Sequence, residues 1–486
     1  MKQSTLHLVS SVLVTIALLL WGGCGKDEAE KTNSEGANST SDDANSHSKY
    51  KEELAKIKSL GEPTTLADLN TWHKSVPAEK NSALAYLEAR KRRPENEGKL
   101  SSAHMMAYTK ARRSKNFNPS AIRIHPSVLP SARAQLIGHN VHINQLLNLY
   151  ATSPANQPAR FAWNNRMSTF PTHLASLKFD VRLLGMRSRI FADAGHTGEA
   201  IRSILAAHRL AHLLNSEPCL ISVLLQQSLY SSADAQIERL LNQFALNDAQ
   251  LVALHQSIAS FNVPAQYANA LIGNRCQGIA EEEAFRNGSS TEIRYIHEYV
   301  ARPFEKDLAQ QIKNRSAADR DADMSVYLEF HNSAIKLFKS GYPQLPASHE
   351  KYSENVKTLA RMSELQELFS DKSNSIYIYS RSLFTVPATK CHQWSLMQQL
   401  AGTAMAIERY RLANRTLPQS LNQLVPQFLS ALPVDPYNEG KPLRYAAGAN
   451  GSFMLSSIES DNQKPKHPHP APDIYTFGVN PALRGR

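Results

Sequence analysis

The 486-residue chain is poor in the residues that staple or punctuate small folds. Its four cysteines are too few for a disulfide scaffold at this length. Twenty glycines and 25 prolines are too few for a collagenous or wholly disordered chain. Long alternating β-branched runs are absent, which excludes an extensive half-buried sheet. No Gly-x-Ser-x-Gly elbow occurs, and no glycine-rich phosphate loop precedes a helix. Near the N-terminus the apolar run Leu8 to Trp21 rises about 21 Å as a helix, short of a hydrocarbon core of about 30 Å.

That run is nevertheless the most specific signal present. Lys2 precedes it and Gly22-Gly23-Cys24 ends it, the layout of an export signal: a charged start, a short apolar stretch, then small residues. The ending resembles the lipobox of bacterial lipoproteins, with Trp21 standing where that family usually has Leu. The resemblance implies cleavage before Cys24 and a lipid on that cysteine. Gly25 rather than Asp follows, which in lipoproteins of double-membrane bacteria does not favour inner-membrane retention. The expected location is the cell envelope, lipid-anchored to a membrane facing the periplasm.

Residues 24–49 hold almost nothing that could form a core. Ser, Asn, Ala and acids dominate, so the segment cannot offset the entropy of ordering and reads as a disordered tether. Six acids outweigh three lysines there, so the chain's formal charge of +11 understates how basic the body is. Hydrophobic residues make up 42% of the chain and charged residues 20%, enough for a sizeable core.

From residue 50 the pattern is helical. Leu177, Val181, Leu184 and Phe191 recur at helical intervals, as do Ile201, Ile204, Leu205 and Leu213. Gly195 separates the two runs, and Thr197 is placed to cap the second. Asn247 with Gln250, and Ser289 with Glu292, have capping-box spacing. The turn Ala-x-Ala-Gly-x-x-x-Glu-Ala within 183–214 resembles part of a tetratricopeptide unit, without a clean 34-residue period elsewhere. The segment 219–229 is the expected most buried helix. Trp72, Pro77, the helix Asn81 to Arg93 and the later Ser-Glu-Pro-Cys-Leu-Ile-Ser resemble an uncharacterised group of exported bacterial lipoproteins.

Residues 392–480 change character. A helix from His392 to Ala413 carries Trp394, Met397, Leu400, Ala404 and Ile407 on one face. A proline-rich stretch follows, then strand-like runs at Leu443–Ala446, Ser452–Ile458 and Asp473–Val479. Tyr410, Leu417-Pro418, Leu421, Leu424-Val425-Pro426, Leu432-Pro433, Asp435-Pro436, Gly440 and Leu443 to Tyr445 resemble the soluble domain of the type II secretion major pseudopilin. In that family a loop hereabouts often binds calcium. Here Glu459, Asp461, Asn462 and Asp473 offer some oxygens without the family's glycines, and Lys464 and Lys466 oppose a cation. A solvated polar loop is the plainer reading.

The expected fold is therefore mainly α: an irregular antiparallel helical array with a small C-terminal α+β module. The divisions are a signal peptide over 1–23, the tether over 24–49, a helical domain over 50–388 and the pseudopilin-like module over 389–486.

Candidate chemistry is sparse. His208 and His212 are four apart on a helix, and His139 and His142 three apart, spacings that place two imidazoles together but supply no third ligand. His467 and His469 lie in a proline-rich loop. Ser348 and Lys351 have Ser-x-x-Lys spacing, which a Ser- and Lys-rich chain shows by chance. Glu281, Glu282 and Glu283 point around a helix and read as a solvated face. Cys219, Cys276 and Cys391 lack zinc or redox spacing, and a small buried thiol is the simpler role. Residues 88–115 hold nine Lys/Arg, among them Arg90, Lys91, Arg92 and Arg93, against three acids. Export makes nucleic acid an unexpected partner, which leaves anionic lipid or envelope polymers as counter-charge. No catalytic, cofactor-binding or metal residue is assigned, and Cys24 is the one modification site. A membrane-tethered binding or scaffold role is the leading expectation. The alternatives are an envelope hydrolase with dispersed site residues and an accessory component of a secretion machinery.

Overall fold

A computed structural model describes residues 40–94, 129–152, 157–161, 172–259, 261–287, 316–341, 378–435, 441–457 and 476–484. Cys24, the signal run, most of the basic stretch beyond Pro94, Ser289, Glu292, Ser348, Lys351, the 459–473 loop acids, His467 and His469 lie outside them. The protein is mainly α, with a small three-stranded antiparallel sheet near the C-terminus.

The helices are α1 (Thr40–Ser59), α2 (Leu66–Trp72), α3 (Ser82–Arg90), α4 (Leu129–Gly138), α5 (Asn140–Thr152) and α6 (Thr172–Asp193). They continue with α7 (Thr197–His212), α8 (Leu220–Gln243), α9 (Asp248–Ala259), α10 (Val263–Arg286), α11 (Ala317–Lys339) and α12 (Ile378–Asn414). The first helix starts at Thr40, inside the stretch read as tether, and α12 spans the boundary expected at 388/389. Asn247 and Gln250 form the reciprocal capping box, at 2.9 and 3.0 Å. Thr197 departs from expectation: it is the first residue of α7, His196 occupies the N-cap and no side chain caps the end. Gly195 at φ +82° makes the turn that precedes it, a conformation most side chains resist.

Helix α8 is the hub. It packs on α6, α7, α10, α12 and the sheet, and Val223, Leu229, Tyr230, Ile237 and Leu240 are buried along it. Helices α1, α10 and α11 form a second group, tied by Arg275, which donates to Glu62 at 2.7 Å and to Asn332 at 2.7 Å. One apolar core runs from Ile57 through Leu400 to Val479.

Close approach within this array depends on Gly273 of α10, where a Cβ would fall 1.7 Å from the Pro218 carbonyl oxygen. Backbone cannot yield as a side chain does, so Gly273→Ala should destabilise by about 1–3 kcal/mol or more in urea unfolding. Gly185→Ala in α6 meets open space and should instead be neutral or stabilising by up to about 1 kcal/mol.

The sheet strands are β1 (Arg444–Ala447), β2 (Phe453–Ser456) and β3 (Thr476–Val479), paired in chain order. Leu455 lies opposite Phe477 and both are buried. The free edge of β3 is covered by α8 side chains. Gly478 N–H donates to Glu238 at 3.1 Å, Asn242 donates to Gly478 O at 2.8 Å, and Asn480 N–H donates back to Asn242 at 2.7 Å. An unpaired edge is a template for unwanted pairing, and these two side chains occupy it.

Candidate functional site

Three buried histidine–carboxylate pairs lie where α3 to α9 meet: His173 faces Glu217 at 3.0 Å, and the other two anchor larger clusters. Each of the two clusters arises because one polar residue falls on an otherwise apolar helix stripe. Asp180 sits three residues after Leu177 and four before Leu184, so it is carried inward with them. His208 follows Ile201, Ile204 and Leu205 on α7 and is only 1% exposed.

In the first cluster, His142 of α5 points Nε2 at Asp180 Oδ1, 2.8 Å away, and Nδ1 at the Ala89 carbonyl, 3.2 Å away. The Tyr86 hydroxyl donates to Asp180 Oδ2 at 2.8 Å, and burial pushes that hydroxyl far above its usual range, with Asp180 adding to the effect. Arg93 approaches the same carboxylate at 3.7 Å. Both His142 nitrogens thus face oxygen atoms of neighbouring helices. Tyr86, His142 and Asp180 are shut off from solvent.

The second cluster reads Ser257–His208–Asp234. Ser257 Oγ lies 2.7 Å from His208 Nδ1, and His208 Nε2 lies 3.0 Å from Asp234 Oδ1. Tyr230 stacks on the imidazole, and His212, Phe261 and Trp394 complete an aromatic wall. The residue types are those of an acyl-transfer triad, but the ring is reversed: in that triad Nε2 serves the serine and Nδ1 the acid. Ser257 also donates to Leu254 O at 2.7 Å and lies in the last turn of α9, where carbonyls and a partial negative charge collect. An oxyanion needs N–H donors at that place. A buried imidazole beside such a hydroxyl ties α7, α8 and α9 together.

The paired histidines of the sequence do not converge. His212 Nδ1 accepts from Asn215 at 2.9 Å, and burial, then the neighbouring His208, lower its pKa to about 4. His139 turns to Gln135 O at 2.9 Å while His142 faces Asp180. Among the described residues no three or more His, Cys, Asp or Glu are grouped to hold a metal ion. No disulfide joins Cys219, Cys276 and Cys391. Burial raises Cys219 to about 11, Cys276 to about 12 and Cys391 further, so none is a nucleophile near neutrality.

The solvated reading of the Glu281–Glu283 run fails for Glu282, which is buried and accepts from Arg286 at 2.8 Å, with Arg320 at 3.9 Å. The cause is α11, which packs on α10 and brings Arg320 and Asp321 to this turn. Asp180, Asp234, Tyr86 and Ser257 were not marked by sequence spacing. The one available signal was a charge on an apolar stripe at positions 180 and 234.

No protein-family model, curated protein or solved structure matches the chain. Among the described residues no helix is long and apolar enough to cross a membrane.

Proposed function

We propose that the chain is an exported envelope protein, held at a membrane facing the periplasm by a lipid on Cys24, whose helical body binds or scaffolds a partner. The observation that carries the reading is that the buried polar clusters bond across helices, with Asp234 Oδ2 and the Tyr230 hydroxyl of the second left without a hydrogen-bond partner among the described residues. His142, Asp180 and Tyr86, and likewise His208, Asp234 and Ser257, bond to one another across helices. Their polar atoms serve packing, which leaves the outer faces of the array as the working surface. The address rests on the run Leu8 to Trp21 followed by Gly22-Gly23-Cys24. Counter-charge for the basic body would come from anionic lipid or envelope polymers, and a protein partner in the envelope suits a helical array. An accessory place in a secretion machinery has the pseudopilin resemblance of 392–480 as its support.

Metabolic labelling with a fatty acid should mark the wild type and leave Cys24→Ala unmarked; equal labelling of the two sinks the tether. Ester hydrolysis by the purified protein that disappears in Ser257→Ala would overturn the binding role in favour of a hydrolase.

A further inference from the structure

The outer face of α4 and α5 exposes two aliphatic side chains one turn apart. Ile137 is 76% exposed and Val141, one turn later, 62% exposed. The two helices run on almost without a break, since His139 N–H donates to Gln135 O at 3.0 Å and Ile143 N–H to His139 O at 2.8 Å. Arg133, one turn before Ile137, is exposed on the same stripe. Residues 129–152 contain no Asp or Glu.

Arg90 ends α3, and Lys91 and Arg92 follow it as exposed residues. The Ala89 carbonyl lies 3.2 Å from His142 Nδ1, which sets Arg90, Lys91 and Arg92 beside the start of α5. The one acid among them, Glu88, accepts from Lys91 at 2.6 Å. Arg90, Arg92 and Arg133 thus outnumber the one acid beside two aliphatic side chains left in water.

We propose that the stripe Arg133, Ile137 and Val141, flanked by Arg90, Lys91 and Arg92, docks on an anionic lipid surface. This rests on the reading of the chain as a membrane-tethered protein, and it adds which side of the body meets the bilayer. The physical logic is that of an interfacial helix: aliphatic side chains enter the boundary between headgroups and acyl chains, and flanking cations stay with the phosphates. A soluble partner protein would have to match two exposed aliphatics ringed by more cations than acids. An anionic bilayer satisfies it without shape complementarity.

The test uses the full chain with Val141→Cys carrying a polarity-sensitive fluorophore, and Met454→Cys, exposed on β2, as the control position. Cys219, Cys276 and Cys391 have thiols raised by burial and label poorly. Each protein is mixed with vesicles of phosphatidylcholine alone, or of phosphatidylcholine with phosphatidylglycerol, containing spin-labelled lipid as quencher. Flotation reports the tether, and quenching reports the face. The expected result is quenching at 141 with anionic vesicles alone, none at 454, and its loss when Arg90, Arg92 and Arg133 are changed together to Glu. Flotation with both vesicle types but equal signals at 141 and 454 overturns the docking face and leaves the tether standing. Flotation with anionic vesicles alone, with quenching at 141, supports the face and removes the tether. Flotation with neither overturns both, and equal quenching at 141 in neutral vesicles overturns the anionic requirement. If the charge-reversed protein does not fold by circular dichroism, the comparison of 141 with 454 decides by itself.

Discussion

Replacing Asp180 by Ala should destabilise the protein by about 3–5 kcal/mol in urea unfolding, the cost of leaving a buried polar cluster without its acceptor. The carboxylate is the common partner of His142 Nε2 and the Tyr86 hydroxyl, and Arg93 stands 3.7 Å away. Removing it strands two donors at positions closed to solvent, where water cannot replace the lost bonds. Tyr86→Phe alone should cost less, about 1–3 kcal/mol, because one oxygen of Asp180 is left unpaired while His142 still holds the other. In the Asp180→Ala background the same Tyr86→Phe change should cost far less or even help, since it removes a stranded hydroxyl. That non-additivity is the signature of one network in place of three separate contacts. An Asp180→Ala protein within about 0.5 kcal/mol of wild type would behave like a surface variant and would show that this network does not hold the helices together.

Such a cluster shows what a sequence reveals and what it hides. The Asn247–Gln250 cap, the break at Gly195 and the C-terminal strands were readable because each depends on neighbours in the chain. Strand β1 was expected at Leu443–Ala446 and forms at Arg444–Ala447, a shift of one residue at each end. Asp180 pairs across 38 residues with His142 and across 94 with Tyr86, distances over which spacing rules carry no information. Within its own helix Glu282 has only the pattern of a solvated face. The partner that buries it, α11, begins at Ala317. Local chemistry sets caps and turns; the fate of a buried charge is set by which helix arrives opposite.

The same separation governs pH. Glu238 of α8 is pushed up from its ordinary 4.5 to about 7 by burial, against which the Gly478 N–H bond is a smaller opposing pull. Its folded pKa exceeds the unfolded one, so the folded state holds this proton more tightly. Stability from this group is greatest below about 4.5 and is lost as pH rises through about 7. Buried histidines act the other way across much of the same window. His331 donates from Nδ1 to Tyr327 O and accepts from Asn274 at Nε2, a fully satisfied neutral ring, and burial lowers it to about 3. His73 and His212 are each lowered to about 4, burial again being the first cause. Their contribution is present above the ordinary 6.5 and lost as pH falls through these values. A wild-type profile sums opposed slopes, so the informative quantity is the difference between wild type and Glu238→Gln, in which the histidines cancel. Gln keeps an oxygen for Gly478 N–H but carries no charge. At pH 8 the variant should be more stable by up to about 3 kcal/mol, the equivalent of moving a carboxyl from 4.5 to 7, and at pH 4 the two should coincide. Urea midpoints at pH 4, 6 and 8 measure this. A variant less stable than wild type at pH 8 would mean that the charged bond to Gly478 outweighs burial, and that the ionised carboxylate itself holds β3 against α8.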